Sequence, residues 1–158
     1  MATTDLANLV GHCGLHCNAC GIRQGKIKKA VNDLHKIIAA YGFDKAMPKL
    51  ANWEPSFKHY NEFSQVMNGL VKMFGYCPGC LQGGGDPNCK VRSCAKQKGY
   101  RTCAECDESE TCEPLAPYRK GYGLTAALHS IKQNGVEKYA EEMQKKVDEG
   151  YSYLEERK

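Results

Sequence analysis

Between Lys26 and Tyr41 the apolar residues Ile27, Val31, Leu34, Ile38 and Tyr41 return at a spacing near 3.6. That period puts them on one helical face, and Gly42 suits the C-terminal cap. Lys26, Lys28, Lys29 and Lys36 fall mostly off the stripe, on a solvated face. A second helical stretch runs from Ser56 to Phe74, with Phe57, Tyr60, Phe63, Met67, Leu70 and Phe74 on its apolar side and Gly75 ending it. A short helix over 44–51, carrying Met47 and Leu50, links the two. Pro48 is expected in its first turn, where a missing N–H costs little, with Trp53 packed nearby. Helical spacing resumes with Leu124, Leu128 and Ile131. Gly135 breaks it, and residues 136–157 continue as a polar helix anchored by Val136, Tyr139, Met143 and Val147.

Residues 76–113 follow neither period: they hold seven cysteines and several glycines, and strand signals are nearly absent along the whole chain. The pattern predicts a mainly α protein, a small helical domain with an irregular, cysteine-rich, zinc-finger-like insert. It predicts a single domain over 1–158. The helical body would be 22–75 and 121–155, with segment 76–113 joined to an N-terminal cysteine group at 11–22.

Composition sharpens this picture through cysteine, ten in 158 residues. A secreted chain would use them as disulfides, a cytosolic one as thiols or metal ligands. The first residues, MATTDLANLVGHCG, show no basic region, apolar run or small-residue cleavage site. No stretch approaches the ~18 apolar residues of a membrane span. The expectation is a cytoplasmic protein, away from the membrane, with reduced cysteines. The formal charge of +4 changes meaning with metal. Thiolates around two divalent ions would bring it near zero.

The insert reads CPGC-x8-C-x4-C-x8-C-x2-C-x5-C, through Cys77, Cys80, Cys89, Cys94, Cys103, Cys106 and Cys112. A C-x2-C turn presents two sulfurs on one side of a tight loop, matching two corners of a tetrahedron about 2.3 Å from zinc. Gly79 can take an unusual backbone angle between the first pair, and Pro78 stiffens its approach. Seven cysteines fall one short of two all-thiolate sites, and Cys13, Cys17 and Cys20 supply the difference. One arrangement groups Cys77, Cys80, Cys89 and Cys94. It then groups Cys103, Cys106 and Cys112 with Cys17 or Cys20. Interleaved pairing, or entry of His12 or His16 into a mixed site, fits the spacing equally.

Two catalytic readings lose support. CPGC resembles a thioredoxin-type motif, but such motifs place the second cysteine in a helix after a strand, and LQGGGDPN follows here. The C-x3-C-x2-C of Cys13, Cys17 and Cys20 has the spacing of radical adenosylmethionine enzymes. The aromatic residue usual before the third cysteine is replaced in CNAC, parallel-strand runs are missing, and GGGD at 83–86 sits among cysteines. Thiolates alone admit zinc or a 4Fe–4S cluster. Isolated C-x2-C pairs in a turn-rich insert favour Zn2+, with two ions expected.

CGLHCNAC from Cys13, CPGC from Cys77, CKVRSC from Cys89 and CAECDESETC from Cys103 together resemble a family of small bacterial and archaeal proteins known only as a domain of unknown function. The segment GLTAALHSIKQNGVEKYAEEMQ resembles that family's closing part, although the extra C-terminal cysteines of some members are missing here. The resemblance implies a cytoplasmic metal-binding protein, brings no activity with it, and puts Cys13, Cys17 and Cys20 in one set with the insert.

The leading expectation is a zinc-binding structural or binding module with a protein partner left open. The alternative is an iron–sulfur or thiol-based redox protein using the N-terminal cysteines, where Gly14 and Gly21 would let a ligand approach. Whether it is an enzyme stays open: His35, His59 and His129 fall in helical patterns and receive no catalytic role. Lys90, Arg92, Lys96, Lys98, Tyr100 and Arg101 form a basic stretch. Nucleic acid is nonetheless disfavoured as a partner, because these cations offset neighbouring thiolates.

Overall fold

The computed structural model describes residues 3–154. Over them the protein is mainly α, with helices α1 (Thr3–Ala7), α2 (Lys26–Ala40), α3 (Phe43–Leu50), α4 (Tyr60–Phe74), α5 (Lys90–Lys98), α6 (Ala116–Gly121), α7 (Leu124–Asn134) and α8 (Val136–Asp148). Among the described residues the β-pairing is one isolated antiparallel bridge between Val10 and His16. No helix among them is long and apolar enough to cross a membrane. The last residues of the expected 136–157 helix lie outside the described residues. The helix itself ends at Asp148, with Gly150 just beyond in a left-handed conformation.

The chain forms two compact units, one of residues up to Gln24 together with those from Cys77 onward, the other of Gly25–Tyr76. Helices α6, α7 and α8 lie in the unit that holds the cysteine segment, and α2, α3 and α4 lie in the other.

In the cysteine-bearing unit the core is built on α7 and α8. Leu124, Ala127, Leu128 and Ile131 of α7 are buried, as are Tyr139, Ala140 and Met143 of α8. These positions recur at three and four residues, so each helix buries one face. Gly135 separates the helices with φ 83° and ψ 161°, letting them turn against each other. Val10, Ala19, Val91, Ala104, Leu115 and Tyr153 join the same cluster. Each large aliphatic side chain buried there contributes roughly 1.5–3 kcal/mol.

Gly14 ties the N-terminal cysteine loop to this core. Its φ is +93°, and a Cβ there would lie 2.8 Å from Leu128 Cδ2 and 3.3 Å from Ile131 Cδ1. A Cβ on Gly21 would meet Leu154 Cδ1 at 2.7 Å. Both glycines therefore serve close packing against the protein's own side chains. The ligand-approach role expected of them is corrected.

The Gly25–Tyr76 unit pairs α2 with α4, and Val31 and Met67 are its buried contributions. Helical period identified these faces, yet Tyr41 and Trp53 are 72% and 85% exposed. Trp53 does not pack as expected. Pro48 is the sixth residue of α3 rather than in its first turn. In so short a helix its missing N–H removes one late bond and leaves the first turn intact. The stretch expected as helix from Ser56 opens as a 3-10 turn, Pro55–His59, capped by Glu54 accepting from the Ser56 amide at 3.1 Å. Inside the cysteine segment, α5 is a helix the period did not reveal.

Replacing Gly14 by alanine adds left-handed strain of roughly 1–2 kcal/mol and a clash with Leu128. Gly14→Ala is expected to cost about 2 kcal/mol or more, read as a lower urea midpoint at unchanged slope. An unchanged midpoint would mean that the loop does not dock on α7.

Candidate functional site

Two cavities in the cysteine-bearing unit hold nine of the ten cysteines between them. None of the ten is in a disulfide.

The first cavity, about 290 Å³, is lined by Cys94, Cys103, Cys106 and Cys112, with Val91, Ala95 and Leu115 among its apolar walls. Cys94 comes from α5. Cys103 opens a 3-10 turn, Cys103–Glu105, held by a reciprocal cap: Thr102 Oγ1 accepts from the Ala104 amide at 3.3 Å, and Glu105 accepts from the Thr102 amide at 2.8 Å. The Cys106 amide closes the turn on the Cys103 carbonyl at 3.2 Å. Both cysteines are thus fixed by their own backbone. The Cys112 carbonyl accepts from Arg119 at 2.9 Å, anchoring the third element. Burial pushes the Cys103 thiol up to about 12, and Cys13, Cys112, Cys106 and Cys94 add repulsion. Lys98, 3.9 Å from Cys106 Sγ, is raised chiefly by Cys106 and then by Glu108 and Cys94. Cys103 therefore resists ionisation in the absence of a cation.

The second cavity, about 280 Å³, is lined by Cys13, Cys17, Cys20, Cys80 and Cys89, by His12 and His16, and by Tyr118, Tyr122 and Tyr153. Cys17 opens a 3-10 turn closed by the Cys20 amide on the Cys17 carbonyl at 3.0 Å, the same local shape as Cys103–Cys106. The CPGC turn needs its glycine, since Gly79 has φ +106° and its carbonyl accepts from Gln82 and Gly84 at 3.0 and 2.9 Å. The Cys80 amide donates to Cys17 Sγ at 3.4 Å, so the turns meet at these two residues.

The thiols of Cys17 and Cys80 are shifted in opposite directions. A hydrogen bond from Cys80, then Arg23 and Arg101, holds Cys17 down to about 6 against the opposing effect of burial. The same hydrogen bond and burial keep Cys80 protonated. Burial pushes Cys13 up to about 11.

His16 is fully buried and both its ring nitrogens lack a partner. Its amide donates to the Tyr153 hydroxyl at 2.9 Å, fixing the backbone but leaving the imidazole unserved. Each such atom costs about 1–3 kcal/mol. Burial, and then Arg23, hold the ring down to about 4, so it is neutral at pH 7. His12 differs. Its Nδ1 donates to the Arg101 carbonyl at 3.0 Å, because that oxygen can only accept.

Of the groupings that the spacing leaves open, the first one named differs from the lining of the two cavities. Cys94 lies with Cys103, Cys106 and Cys112, while Cys17 and Cys20 lie with Cys80 and Cys89. Cys77 lines neither cavity, and a Cβ on Gly84 would touch its sulfur at 2.7 Å. Among the described residues, no three His, Cys, Asp or Glu side chains stand close enough together to hold a metal ion as placed. In kind and number the donors suit one: the first cavity offers four sulfurs for a tetrahedral ion, and the second offers an orphaned imidazole beside thiols.

Three cations of the basic stretch, Arg92, Lys98 and Arg101, have partners within the protein. Arg92 donates to the carbonyls of Cys80, Gly84 and Asp86, and Arg101 to those of Val10 and Ala7. Lys98 meets Glu108 at 3.5 Å and lies 6.0 Å over the Tyr100 ring.

Fold and site together define a cysteine-rich, mainly α protein with two thiol-lined cavities. Residues 9–117 match the family described as Protein of unknown function (DUF3795), and the chain belongs to that family. The match ends before α7 and α8, which the sequence resemblance had included. Comparison with curated proteins and with solved structures returns no match.

The depressed His16 sets a pH dependence. The unfolded chain takes up the imidazole proton near 6.5 and the folded protein only near 4. The contribution is complete above 6.5 and is lost as pH falls toward 4. Metal-free protein should lose about 2–3 kcal/mol more between pH 7 and 4.5 than a His16→Gln variant, by urea unfolding. Equal losses would show a hydrated ring.

Proposed function

We propose that the protein is a zinc-binding structural or binding module, with an ion held by Cys94, Cys103, Cys106 and Cys112. The observation that carries this reading is the convergence of these four cysteines, from α5, the Cys103–Glu105 turn and the following loop, on one cavity. Four thiolates without a carboxylate ligand are a set that zinc accepts in structural sites. Bound zinc would supply the positive charge that favours thiolates at these half-buried and exposed cysteines.

The chain's own residues do the rest. The Thr102–Glu105 cap presets one ligand pair, α5 carries Cys94 across, and Arg119 holds the Cys112 carbonyl. Lys98 limits the net negative charge beside Cys106. Zinc would then cross-link a segment whose buried apolar side chains are few, stabilising it directly. Ten free thiols fit a reduced, cytoplasmic setting.

Metal analysis of protein purified without oxygen tests the reading. The expected result is a colourless protein containing zinc, with Cys103→Ser or Cys106→Ser lowering the content by about one equivalent. Chelation of the wild type should lower the melting temperature by about 10 °C. Iron with acid-labile sulfide, or zinc content unchanged in both variants, would overturn it.

A further inference from the structure

The second cavity contains a polar group with nothing to satisfy it. His16 is 0% exposed, its two ring nitrogens lack partners, and it lines the same space as Cys13, Cys17 and Cys80. Those thiols are neighbours. The Cys80 amide reaches Cys17 Sγ at 3.4 Å, and a Cβ on Gly11 would lie 3.7 Å from the sulfurs of both Cys13 and Cys80. The three therefore lie near one another in the lining of one cavity, Cys13 and Cys17 from one chain segment and Cys80 from another more than sixty residues on, and they would have to close further to hold an ion.

From this juxtaposition we infer a second metal site of mixed donors, in which His16 joins Cys13, Cys17 and Cys80 as the ligands of a tetrahedral divalent ion. Three sulfurs and one imidazole form a recognised closed donor set for zinc. The burial of His16 then has a cause. A neutral imidazole offers one lone pair, and a metal ion is the partner that a dry, thiol-lined wall can recruit. Arg23, whose guanidinium donates to Asn18 Oδ1 at 2.8 Å and the Cys77 carbonyl at 2.9 Å, offsets part of the thiolate charge from one side. Arg101 does so from the other. Cys20, Cys77 and Cys89 are not ligands in this assignment.

His12 is the rival. It lines the cavity too, and its Nδ1 donates to a backbone carbonyl, the arrangement that commonly orients a ligating histidine. Its ring is already partnered, whereas that of His16 is not.

Cobalt(II) titration of the full-length, anaerobically prepared, metal-free protein separates these assignments. The ligand-field bands of a site with three sulfurs and one nitrogen lie at shorter wavelength than those of an all-sulfur site. Wild type should take up two equivalents with both signatures. Cys103→Ser should lose the all-sulfur signature and keep the mixed one. His16→Ala should weaken one equivalent by more than tenfold and leave only the all-sulfur bands. His16→Cys should restore the second equivalent and move its bands to the all-sulfur position, a gain that a purely structural histidine would not give.

Two full equivalents with unchanged bands in His16→Ala would overturn the inference. So would loss of the mixed signature in His12→Ala, or reconstitution of this cavity by iron and sulfide in place of cobalt. If His16→Ala fails to fold, the spectrum of His16→Cys decides: bands that keep their mixed-donor position reject the site. The four-cysteine site is read from the Cys103→Ser arm alone, so either assignment can fail without the other.

Discussion

The clasp between the N-terminal loop and residues 101–103 is what the cysteine-bearing unit depends on. Arg101 donates to the Val10 carbonyl at 3.0 Å and the Ala7 carbonyl at 2.6 Å, and its own carbonyl accepts from His12. The Cys103 amide then donates to the His12 carbonyl at 2.7 Å. These bonds supply partners to backbone groups that neither helix nor sheet would satisfy, including the carbonyl at the end of α1. They also fix where Cys13 stands relative to Cys103. Without this clasp the N-terminal cysteines would belong to a loop with little apolar surface of its own.

The same logic explains why a cysteine-rich protein carries so many arginines near its thiols. Loops that lack regular structure expose carbonyls, and a guanidinium can serve several at once. Arg23, Arg92, Arg101 and Arg119 all donate to carbonyls of the cysteine loops or their neighbours. The charge of Arg23 and Arg101 also favours the Cys17 thiolate.

The long helices were legible because apolar residues recur at a period of 3.6 in α2, α4, α7 and α8, with glycines marking their ends, although α7 and α8 bury that face and α2 and α4 bury one residue each, Val31 and Met67. What covers a face was not legible: nothing in the spacing distinguishes buried Met67 from exposed Trp53. Helix α5 was hidden because only Val91 and Ala95 of its nine residues are buried, too few for a visible stripe. Without α5 the spacing also left the grouping of the cysteines open. Cys89 caps that helix and Cys94 lies within it, five residues on, which at 3.6 residues per turn is about 140° around the axis. Two cysteines that look adjacent in sequence consequently open into different cavities. The C-x2-C pairs were readable as local turns, and His16 was nameable as a candidate. Its isolation from hydrogen-bond partners could come only from three-dimensional packing.

The two cavities differ in how far along the chain they must reach. The first draws all its cysteines from residues 94–112, on elements closed by short-range backbone bonds. The second requires residues 13–20 to meet residues 80–89 across the whole Gly25–Tyr76 stretch of sequence. A flexible connection of that length would make closure costly, although the cost grows only logarithmically with length. Here the intervening residues fold among themselves, so much of their freedom is spent on their own contacts. Each cysteine pair is moreover preset by its own turn, at Cys17–Cys20 and Cys103–Cys106. What remains for the second cavity is the docking of two preformed turns, held by the Cys80 amide on Cys17 and by the Arg101 clasp. An ion bound there would stabilise the docked state specifically, because its ligands exist as a set only after docking. The first cavity can form from local structure, and the second reports on whether the two ends of the unit have come together.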